Sequence, residues 1–257
     1  MSRTCVVTGA ASGIGAATAA RLEADGWRVI GVDLKDAELC CDLTTADGRA
    51  QLVDGVAAIS GARVDAVIAN AGTIGRGAGD VRVNYFGAVA TLTGLRPLLA
   101  LSDAPRAVAT ASLALVQDVD DELVAACLCG AEEEAVARVD SAGIDAVKTY
   151  GSTKRALGRW IRANAPSPEW AGAGIALNAI APAVIRTPMV QPILDNADTA
   201  PLLEAAMPMP YGGVAGPEAV AHLLAFLVSP DTRAITGQVF MIDGGADCLL
   251  RGDDIWP

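Results

Sequence analysis

Residues 4–15 read TCVVTGAASGIG, and this stretch decides the predicted fold. The apolar run Thr4–Thr8 predicts a buried strand, and the glycines after it permit a sharp turn into a helix that begins near Ile14. Backbone N–H groups of such a turn, together with the positive end of the helix, bind phosphate groups. Because tight strand-helix turns also occur in proteins that bind no nucleotide, the interpretation depends on the sequence that follows.

A second predicted strand, Arg28–Asp33, places a carboxylate twenty residues after Gly13. A carboxylate at this position can accept hydrogen bonds from both hydroxyls of an adenosine ribose, and it would repel a 2′-phosphate. The spacing therefore predicts NAD rather than NADP as the cofactor. Two alternatives stay open: Asp33 is a solvated turn residue, or the nearby Lys35 weakens the selection against the phosphate.

Short apolar runs alternate with helical stretches along the rest of the chain. The runs are rich in Val, Ile and Ala and lack strict polar alternation, as in strands buried on both faces of a parallel sheet. Further strands are predicted at 65–70, 107–111, 175–180 and 239–242, and helices at 14–24, 46–59, 81–99, 150–163 and 218–228. The pattern predicts an α/β protein with one domain over residues 1–257, a Rossmann-like, doubly wound parallel sheet.

Two stretches interrupt this alternation. Residues 118–143 are acidic and alanine-rich, and we predict two short helices broken at Gly130. Residues 188–217 are rich in Pro, Met and Leu and predict a long ordered loop, a substrate lid. Apolar lid side chains either line a flexible pocket or pack the lid onto the body of the protein, and both interpretations stay open. These side chains are Met189, Ile193, Leu194, Leu202, Leu203, Met207, Met209 and Tyr211.

Composition argues against several classes of protein. A net charge of -11 without a Lys/Arg cluster argues against a nucleic-acid partner. No apolar run reaches the roughly 18–20 residues that span a bilayer, and the N-terminus lacks signal-peptide features, so we expect a cytoplasmic protein without membrane contact. The six cysteines contain no C-x-x-C pair and are expected to be reduced and buried. The single histidine, His222, is expected to be a structural helix residue, so no metal site is predicted.

Tyr150 and Lys154 are four residues apart on a predicted helix, a spacing that places their side chains on one face. A nearby ammonium stabilises a phenolate and lowers its pKa, so the pair can serve as general base for an alcohol and as general acid for a ketone. Ser112 follows a predicted strand at the edge of the sheet where ligands bind, and its hydroxyl can bond a substrate oxygen. The alternatives are an exposed helix pair and a serine that only caps a turn.

Further motifs occur in a set order along the chain. They are Thr8-Gly9-x-x-x-Gly13-Ile14-Gly15, Asn70-Ala71-Gly72, Val83-Asn84-Tyr85-Phe86-Gly87, Ser112, Tyr150-x-x-x-Lys154, the stretch 182–187 and Ile242-Asp243-Gly244-Gly245. As an ordered set they resemble the short-chain dehydrogenase/reductase family, and the resemblance covers nearly the whole chain.

This resemblance implies site residues. Contacts to NAD are implied for Gly9, Ser12, Gly13, Ile14, Gly15, Asp33, Asp42, Leu43, Asn70, Ala71, Gly72, Tyr150, Lys154, Pro182, Ile185 and Thr187. Asp42 and Leu43 would contact the adenine, and Ile185 and Thr187 the nicotinamide carboxamide. The catalytic residues implied are Asn84, Ser112, Tyr150 and Lys154. Tyr150 would transfer the proton and Ser112 would polarise the substrate oxygen. Lys154 would bind the nicotinamide ribose and tune Tyr150, and Asn84 would anchor a water molecule.

The chain departs from the family pattern in three places. Ala183 stands where a glycine is usual, the interval from Asn70 to Asn84 is short, and the interval from Ser112 to Tyr150 is long. The long interval contains residues 118–143 as a helical insertion between the catalytic Ser and Tyr, which resembles the bacterial 3α-hydroxysteroid dehydrogenase/carbonyl reductase branch. That branch implies a homodimer, because the insertion would cover a face used for tetramers. The alternative is an insertion on the surface that has no effect on assembly.

These observations predict an NAD-dependent oxidoreductase that interconverts a secondary alcohol and a ketone. A hydroxysteroid or another bulky apolar carbonyl compound is the substrate that the resemblance implies. Two alternatives stay open, a 3-oxoacyl thioester reductase and a non-catalytic NAD-sensing protein on the same fold. Asp33 and the insertion argue against the first, and the combined presence of Asn84, Ser112, Tyr150 and Lys154 argues against the second.

Overall fold

Seven parallel strands form one sheet in the order β3-β2-β1-β4-β5-β6-β7 in a computed structural model that describes residues 2–255. The strands are β1 (Thr4–Thr8), β2 (Arg28–Asp33), β3 (Leu39–Cys40), β4 (Ala66–Ala69), β5 (Arg106–Thr110), β6 (Ala176–Pro182) and β7 (Val239–Ile242). Strand order reverses direction at β1, with β2 on one side and β4 on the other. Such a switch point opens a crevice at the carboxyl ends of the strands.

Helices cover both faces of the sheet. They are α1 (Gly13–Ala24), α2 (Ala46–Ser60), α3 (Ala78–Val81), α4 (Ala88–Leu99), α5 (Asp121–Leu128), α6 (Glu132–Ala142), α7 (Ala146–Asn164), α8 (Gln191–Leu194), α9 (Ala200–Ala206), α10 (Pro217–Val228) and α11 (Ala246–Arg251). A π-helical segment, Arg82–Gly87, joins α3 to α4. The side chains of β4 and β5 are buried throughout, and two apolar clusters fill the two sides of the sheet. The predicted doubly wound parallel sheet is confirmed.

The structure corrects several predicted boundaries. The helix predicted from residue 150 begins four residues earlier, because the Asp145 side chain accepts a hydrogen bond from the Lys148 amide at 2.8 Å and caps the first turn. The helix predicted over 81–99 is divided into α3, the π-helical segment and α4. Strand β3 was not predicted, since two residues are too few for a periodic pattern.

Helices α5 and α6 lie within the predicted insertion, on either side of Gly130, which has φ 75°. Asp120 caps α5 by accepting a hydrogen bond from the Leu123 amide at 2.8 Å. Both helices contribute fully buried side chains to the larger apolar cluster, among them Leu123 and Ala135. The inserted helices therefore pack into the core of the protein, and their effect on assembly stays a prediction.

The cysteines are only partly as expected. Cys5, Cys41 and Cys127 are buried, whereas Cys40, Cys129 and Cys248 are exposed. All six are free thiols. His222 lies on α10 and is exposed. Within residues 2–255, no helix combines the length and apolar character needed to cross a membrane.

Candidate active site

A cleft of about 370 Å³ opens at the carboxyl ends of the central strands. The structure brings together on its walls all predicted site residues except Gly15 and Asn84, namely Gly9, Ser12, Gly13, Ile14, Asp33, Asp42, Leu43, Asn70, Ala71, Gly72, Ser112, Tyr150, Lys154, Pro182, Ile185 and Thr187. They come from seven separate stretches of the chain. The parallel sheet gathers them because each strand ends at the same edge.

Gly15 lies behind the glycine-rich turn rather than on the cleft wall. A Cβ atom at this position would stand 2.0 Å from the Gly9 carbonyl oxygen, so any side chain would push α1 away from the turn. The residue therefore allows α1 to start directly beneath the turn. Its contribution to the site is close packing, not contact.

The N-terminus of α1 faces the cleft, and the backbone N–H groups of its first turn are free to donate hydrogen bonds. Ser12 is the N-cap residue and its side chain makes no capping hydrogen bond, and the first turn of α1 carries no acidic residue. Such a helix start presents unsatisfied N–H groups and a partial positive charge. These groups match the pyrophosphate of a dinucleotide, and the protein side chains described here do not compete for them.

Asp33 lies at the carboxyl end of β2, half-buried beside the turn. One carboxylate oxygen accepts a hydrogen bond from the Ala11 amide at 2.9 Å, and the other accepts one from the Leu34 amide at 2.7 Å. Both bonds orient the carboxylate within the cleft that Asp33 helps to line. A fixed carboxylate beside a phosphate-binding turn fits a ribose diol and disfavours a 2′-phosphate.

The loop Asn70-Ala71-Gly72 is held by the strands on both sides of it. The Thr8 hydroxyl accepts hydrogen bonds from the Asn70 and Ala71 amides, each at 3.0 Å. The Thr110 hydroxyl donates to the Asn70 side-chain oxygen at 3.1 Å. These bonds fix the loop between β1 and β5, so that its backbone forms a rigid wall of the cleft.

Asn84 is fully buried within the π-helical segment. Its side-chain oxygen accepts a hydrogen bond from the Thr73 amide at 2.8 Å, and its amide group donates to the Thr73 carbonyl at 2.9 Å. A Cβ atom on Gly72 would lie 2.8 Å from the Asn84 side-chain oxygen and 3.4 Å from the Lys154 Nζ. Gly72 therefore permits the loop, Asn84 and Lys154 to meet.

Tyr150 and Lys154 lie on α7 at the wall of the cleft. The Lys154 Nζ donates a hydrogen bond to the Thr110 carbonyl at 2.8 Å and lies 5.5 Å from the centre of the Tyr150 ring. Ser112 is buried beside them at the end of β5, where its hydroxyl accepts a hydrogen bond from the Ala114 amide at 3.2 Å. One hydroxyl, one phenol and one ammonium thus converge at one place.

Burial raises the pKa of Tyr150, the Ser112 hydroxyl opposes this by lowering it, and the Asp80 charge raises it further. Burial also lowers the pKa of Lys154 to about 8, against the opposing effect of Asp80. The surroundings of the phenol therefore raise its pKa in the protein alone, and the lowering of this pKa by the Lys154 ammonium stays a prediction. The Lys154 ammonium points to the Thr110 carbonyl and to the face of the Tyr150 ring.

Asp80 is a residue that the sequence analysis missed. Its side chain is fully buried, and it accepts hydrogen bonds from the Thr73 hydroxyl at 2.6 Å and from the Arg76 amide at 2.8 Å. It therefore holds the loop whose Thr73 backbone pairs with Asn84. An aspartate four residues before Asn84, on one helix face, was the available signal.

The lid contributes few side chains to the cleft. Pro188, Met189 and Val190 line it, but of the eight apolar lid residues singled out from the sequence only Met189 does so. Leu202 is 69% exposed and Tyr211 is 86% exposed. Ile185 is anchored by a parallel bridge to Ala215 at the far end of the lid. Over the described residues, no group of three or more His, Cys, Asp or Glu side chains is arranged to hold a metal ion.

Comparison with known proteins gives consistent matches. A family profile described as short chain dehydrogenase matches residues 3–120, and one described as Enoyl-(Acyl carrier protein) reductase matches residues 135–247. The chain is 36% identical over 252 residues to 3-alpha-hydroxysteroid dehydrogenase/carbonyl reductase of Comamonas testosteroni, covering 96% of this chain and 97% of the relative.

Two further relatives extend this picture. Cis-4-hydroxycyclohexanecarboxylate dehydrogenase of Sinomonas cyclohexanicum is 30% identical over 274 residues, covering 95% of this chain and 96% of the relative. The crystal structure of the 3-alpha-hydroxysteroid dehydrogenase from Pseudomonas sp. B-0831, complexed with NADH, superposes with a TM-score of 0.92 at 33% identity. That match covers 98% of this chain and 100% of the other.

Proposed function

This chain belongs to the short-chain dehydrogenase/reductase family and is an oxidoreductase, and from that premise we propose that it interconverts a secondary alcohol and a ketone with NAD(H). The observation that carries the proposal is the convergence of Tyr150, Lys154 and Ser112 on one cleft whose other end holds Asp33. A cofactor end and an acid-base end in one cleft are what hydride transfer requires.

The cofactor end fits NAD. The open N-terminus of α1 would hold the pyrophosphate, and Asp33 would hold the adenosine ribose and reject a 2′-phosphate. Ile185 and Thr187 would hold the carboxamide, and Lys154 the nicotinamide ribose. The nicotinamide, when bound, supplies the hydride for ketone reduction or accepts it in alcohol oxidation. The NADH complex of the Pseudomonas relative supports the same cofactor.

The acid-base end handles the proton. In ketone reduction Tyr150 donates its phenolic proton to the carbonyl oxygen, and in alcohol oxidation the phenolate takes the hydroxyl proton. Ser112 donates a hydrogen bond to the substrate oxygen and polarises it. Asn84 holds the Thr73 backbone behind the site, and its predicted role as the anchor of a water molecule remains a proposal.

The substrate we propose is a hydroxysteroid or another bulky apolar carbonyl compound. The names of the Comamonas and Pseudomonas relatives support this class. Met189 and Val190 of the lid supply apolar surface to the cleft. A homodimer, implied by the insertion, is the proposed assembly, and light scattering in solution tests it.

The test is NADH formation, followed by absorbance, across a panel of secondary alcohols that includes 3α- and 3β-hydroxysteroids. NADP in place of NAD is the control for cofactor choice. We expect turnover of a 3α-hydroxysteroid with NAD. Turnover of smaller alcohols alone would overturn the steroid assignment, and equal rates with NADP would overturn the role of Asp33.

A further inference from the structure

One carboxylate of the insertion (residues 118–143), that of Glu132, is connected to the side of the cleft proposed to bind the adenosine. Glu132, the first residue of α6, forms a two-pronged ion pair with Arg49 of α2. The Arg49 Nη1 lies 2.6 Å from one carboxylate oxygen, and the Nη2 lies 2.9 Å from the other. Paired hydrogen bonds of this kind fix the orientation of both groups as well as their distance.

The remaining donors of Arg49 hold the backbone of the predicted adenine contact. Its Nε donates to the Leu43 carbonyl at 2.8 Å, and its Nη2 donates to the Arg82 carbonyl at 3.1 Å. Leu43 is buried and lines the cleft. One guanidinium therefore connects the insertion, the cleft wall and the π-helical segment.

Leu43 has little freedom on its other side. A Cβ atom on Gly87 would lie 3.1 Å from both the Leu43 Cβ and the Leu43 carbonyl oxygen. The backbone at residue 43 is thus confined between the π-helical segment and Arg49. A change in the position of Arg49 would therefore move Leu43 in the wall of the cleft, because the close packing leaves no free space around this residue.

The ion pair is partly shielded from water. The Arg49 side chain is 13% exposed and that of Glu132 is 21% exposed. A second arginine, Arg82, bonds the same carboxylate at 3.0 Å. Burial alone would raise the pKa of Glu132, but the hydrogen bonds and charges of Arg49 and Arg82 together lower it, so the carboxylate stays ionised at neutral pH.

We propose that Glu132 is a positioning residue for the cofactor. Through Glu132, the insertion sets the affinity of the protein for the adenosine half of NAD(H). This inference rests on the proposed function, since it needs a dinucleotide in the cleft. Glu132 touches no part of the cleft itself. It acts through Arg49, which places the Leu43 carbonyl and side chain.

A merely structural role for the ion pair predicts something different. Loss of a structural contact would lower the melting temperature and would affect both ends of the cleft alike. Loss of a positioning contact would weaken ligands that reach Leu43 and would spare ligands that do not. Ligand fragments therefore separate the two accounts without requiring turnover.

The experiment compares dissociation constants of NADH, ADP-ribose and reduced nicotinamide mononucleotide for the wild type and Glu132→Gln, by fluorescence and displacement titrations. Glu134→Gln is the matched control, because Glu134 is exposed on the same helix and lies outside this ion-pair cluster. Arg49→Lys is a second variant that keeps the charge but loses the two-pronged geometry.

We expect Glu132→Gln to weaken NADH and ADP-ribose binding roughly fivefold and to leave the mononucleotide unchanged. Arg49→Lys should show the same selectivity, and Glu134→Gln should behave as the wild type. Equal weakening of all three ligands, or none, would overturn the inference while leaving the proposed function intact. A wild-type protein that binds no NADH would overturn both.

Discussion

At the end of the cleft proposed to bind the adenosine, the recognition groups are fixed by backbone hydrogen bonds, whereas at the lid end the apolar side chains are exposed or only half-buried. Asp33 is oriented by two amide donors, and the Asn70 loop is fixed by Thr8 and Thr110. Among the apolar lid residues, Met189 reaches the cleft and Leu202 does not. In the proposed function, recognition of the phosphates and the ribose therefore depends on turn geometry, while recognition of an apolar substrate depends on how a loop packs.

The largest effect on activity is expected from a substitution of Tyr150, which lies between these two ends of the cleft. Tyr150→Phe should lower kcat about 10³-fold, because the phenol supplies the proton. The dissociation constant of NADH should stay within about twofold of the wild type, since the ring is retained. Steady-state rates and NADH titration measure the two quantities. Tyr211→Phe is the control, because that tyrosine is 86% exposed. A Tyr150→Phe enzyme with full activity would contradict the assignment of the acid-base group.

The next effect tests whether the adenosine end selects the cofactor. Asp33→Ala should shift the ratio of kcat/KM for NAD over NADP by roughly tenfold or more toward NADP, because a charge that repels the 2′-phosphate is removed. Asp54→Ala removes the same charge from the exposed face of α2 and should leave the ratio unchanged. If Asp33→Ala keeps the wild-type preference for NAD over NADP, another residue must recognise the ribose.

A smaller effect is expected on the pH dependence of kcat/KM when Asp80, which the sequence analysis did not identify, is replaced. Because burial raises the pKa of Tyr150, oxidation, which needs the phenolate, should accelerate as the pH rises above neutrality. The negative charge of Asp80 raises the pKa of both Tyr150 and Lys154. Asp80→Asn should therefore move the pH profile of kcat/KM to lower pH, and Asp80→Glu should not. If the pH profile of Asp80→Asn keeps its position, Asp80 has no electrostatic effect on the acid-base pair, and its only remaining role is to hold the loop.

The smallest effect separates the lid from the cofactor end. Met189→Ala should raise KM for a bulky apolar substrate about threefold, since apolar contact area is lost, and should leave NADH affinity unchanged. Leu202→Ala, a substitution at a lid residue that points to solvent, should change neither. If Leu202→Ala had the larger effect on KM, the lid would close over the substrate in a different arrangement.

The sequence predicted the adenosine end well because few backbone conformations satisfy it. A strand, a glycine-rich turn and a carboxylate at a fixed spacing leave little choice of geometry, and Gly13 and Asp33 line the cleft as expected. The four-residue spacing on a helix similarly brought Tyr150 and Lys154 to one wall. Each of these predictions depends on local periodicity.

Other features depend on contacts between distant parts of the chain, which no local pattern specifies. The spacing in the sequence relates Asp80 to Asn84, but it does not reveal that Asp80 is buried and bonded to Thr73. The direction of the Lys154 ammonium likewise results from the position of the Thr110 carbonyl on β5. The backbone hydrogen bonds of the π-helical segment around Asn84 span five residues instead of the four of an α-helix, a difference that a hydrophobic pattern does not resolve.

The most direct test of hydride transfer uses NADH carrying deuterium on the transferred position, incubated with a 3-oxosteroid and the wild-type protein. Mass spectrometry of the product then shows whether the label has moved to the carbinol carbon. The account predicts one deuterium in the alcohol from the wild type and unlabelled ketone from Tyr150→Phe. If NADH binds to the wild type but no ketone in a broad panel acquires the label, the proposed interconversion of ketone and alcohol is contradicted and the non-catalytic NAD-sensing alternative is favoured.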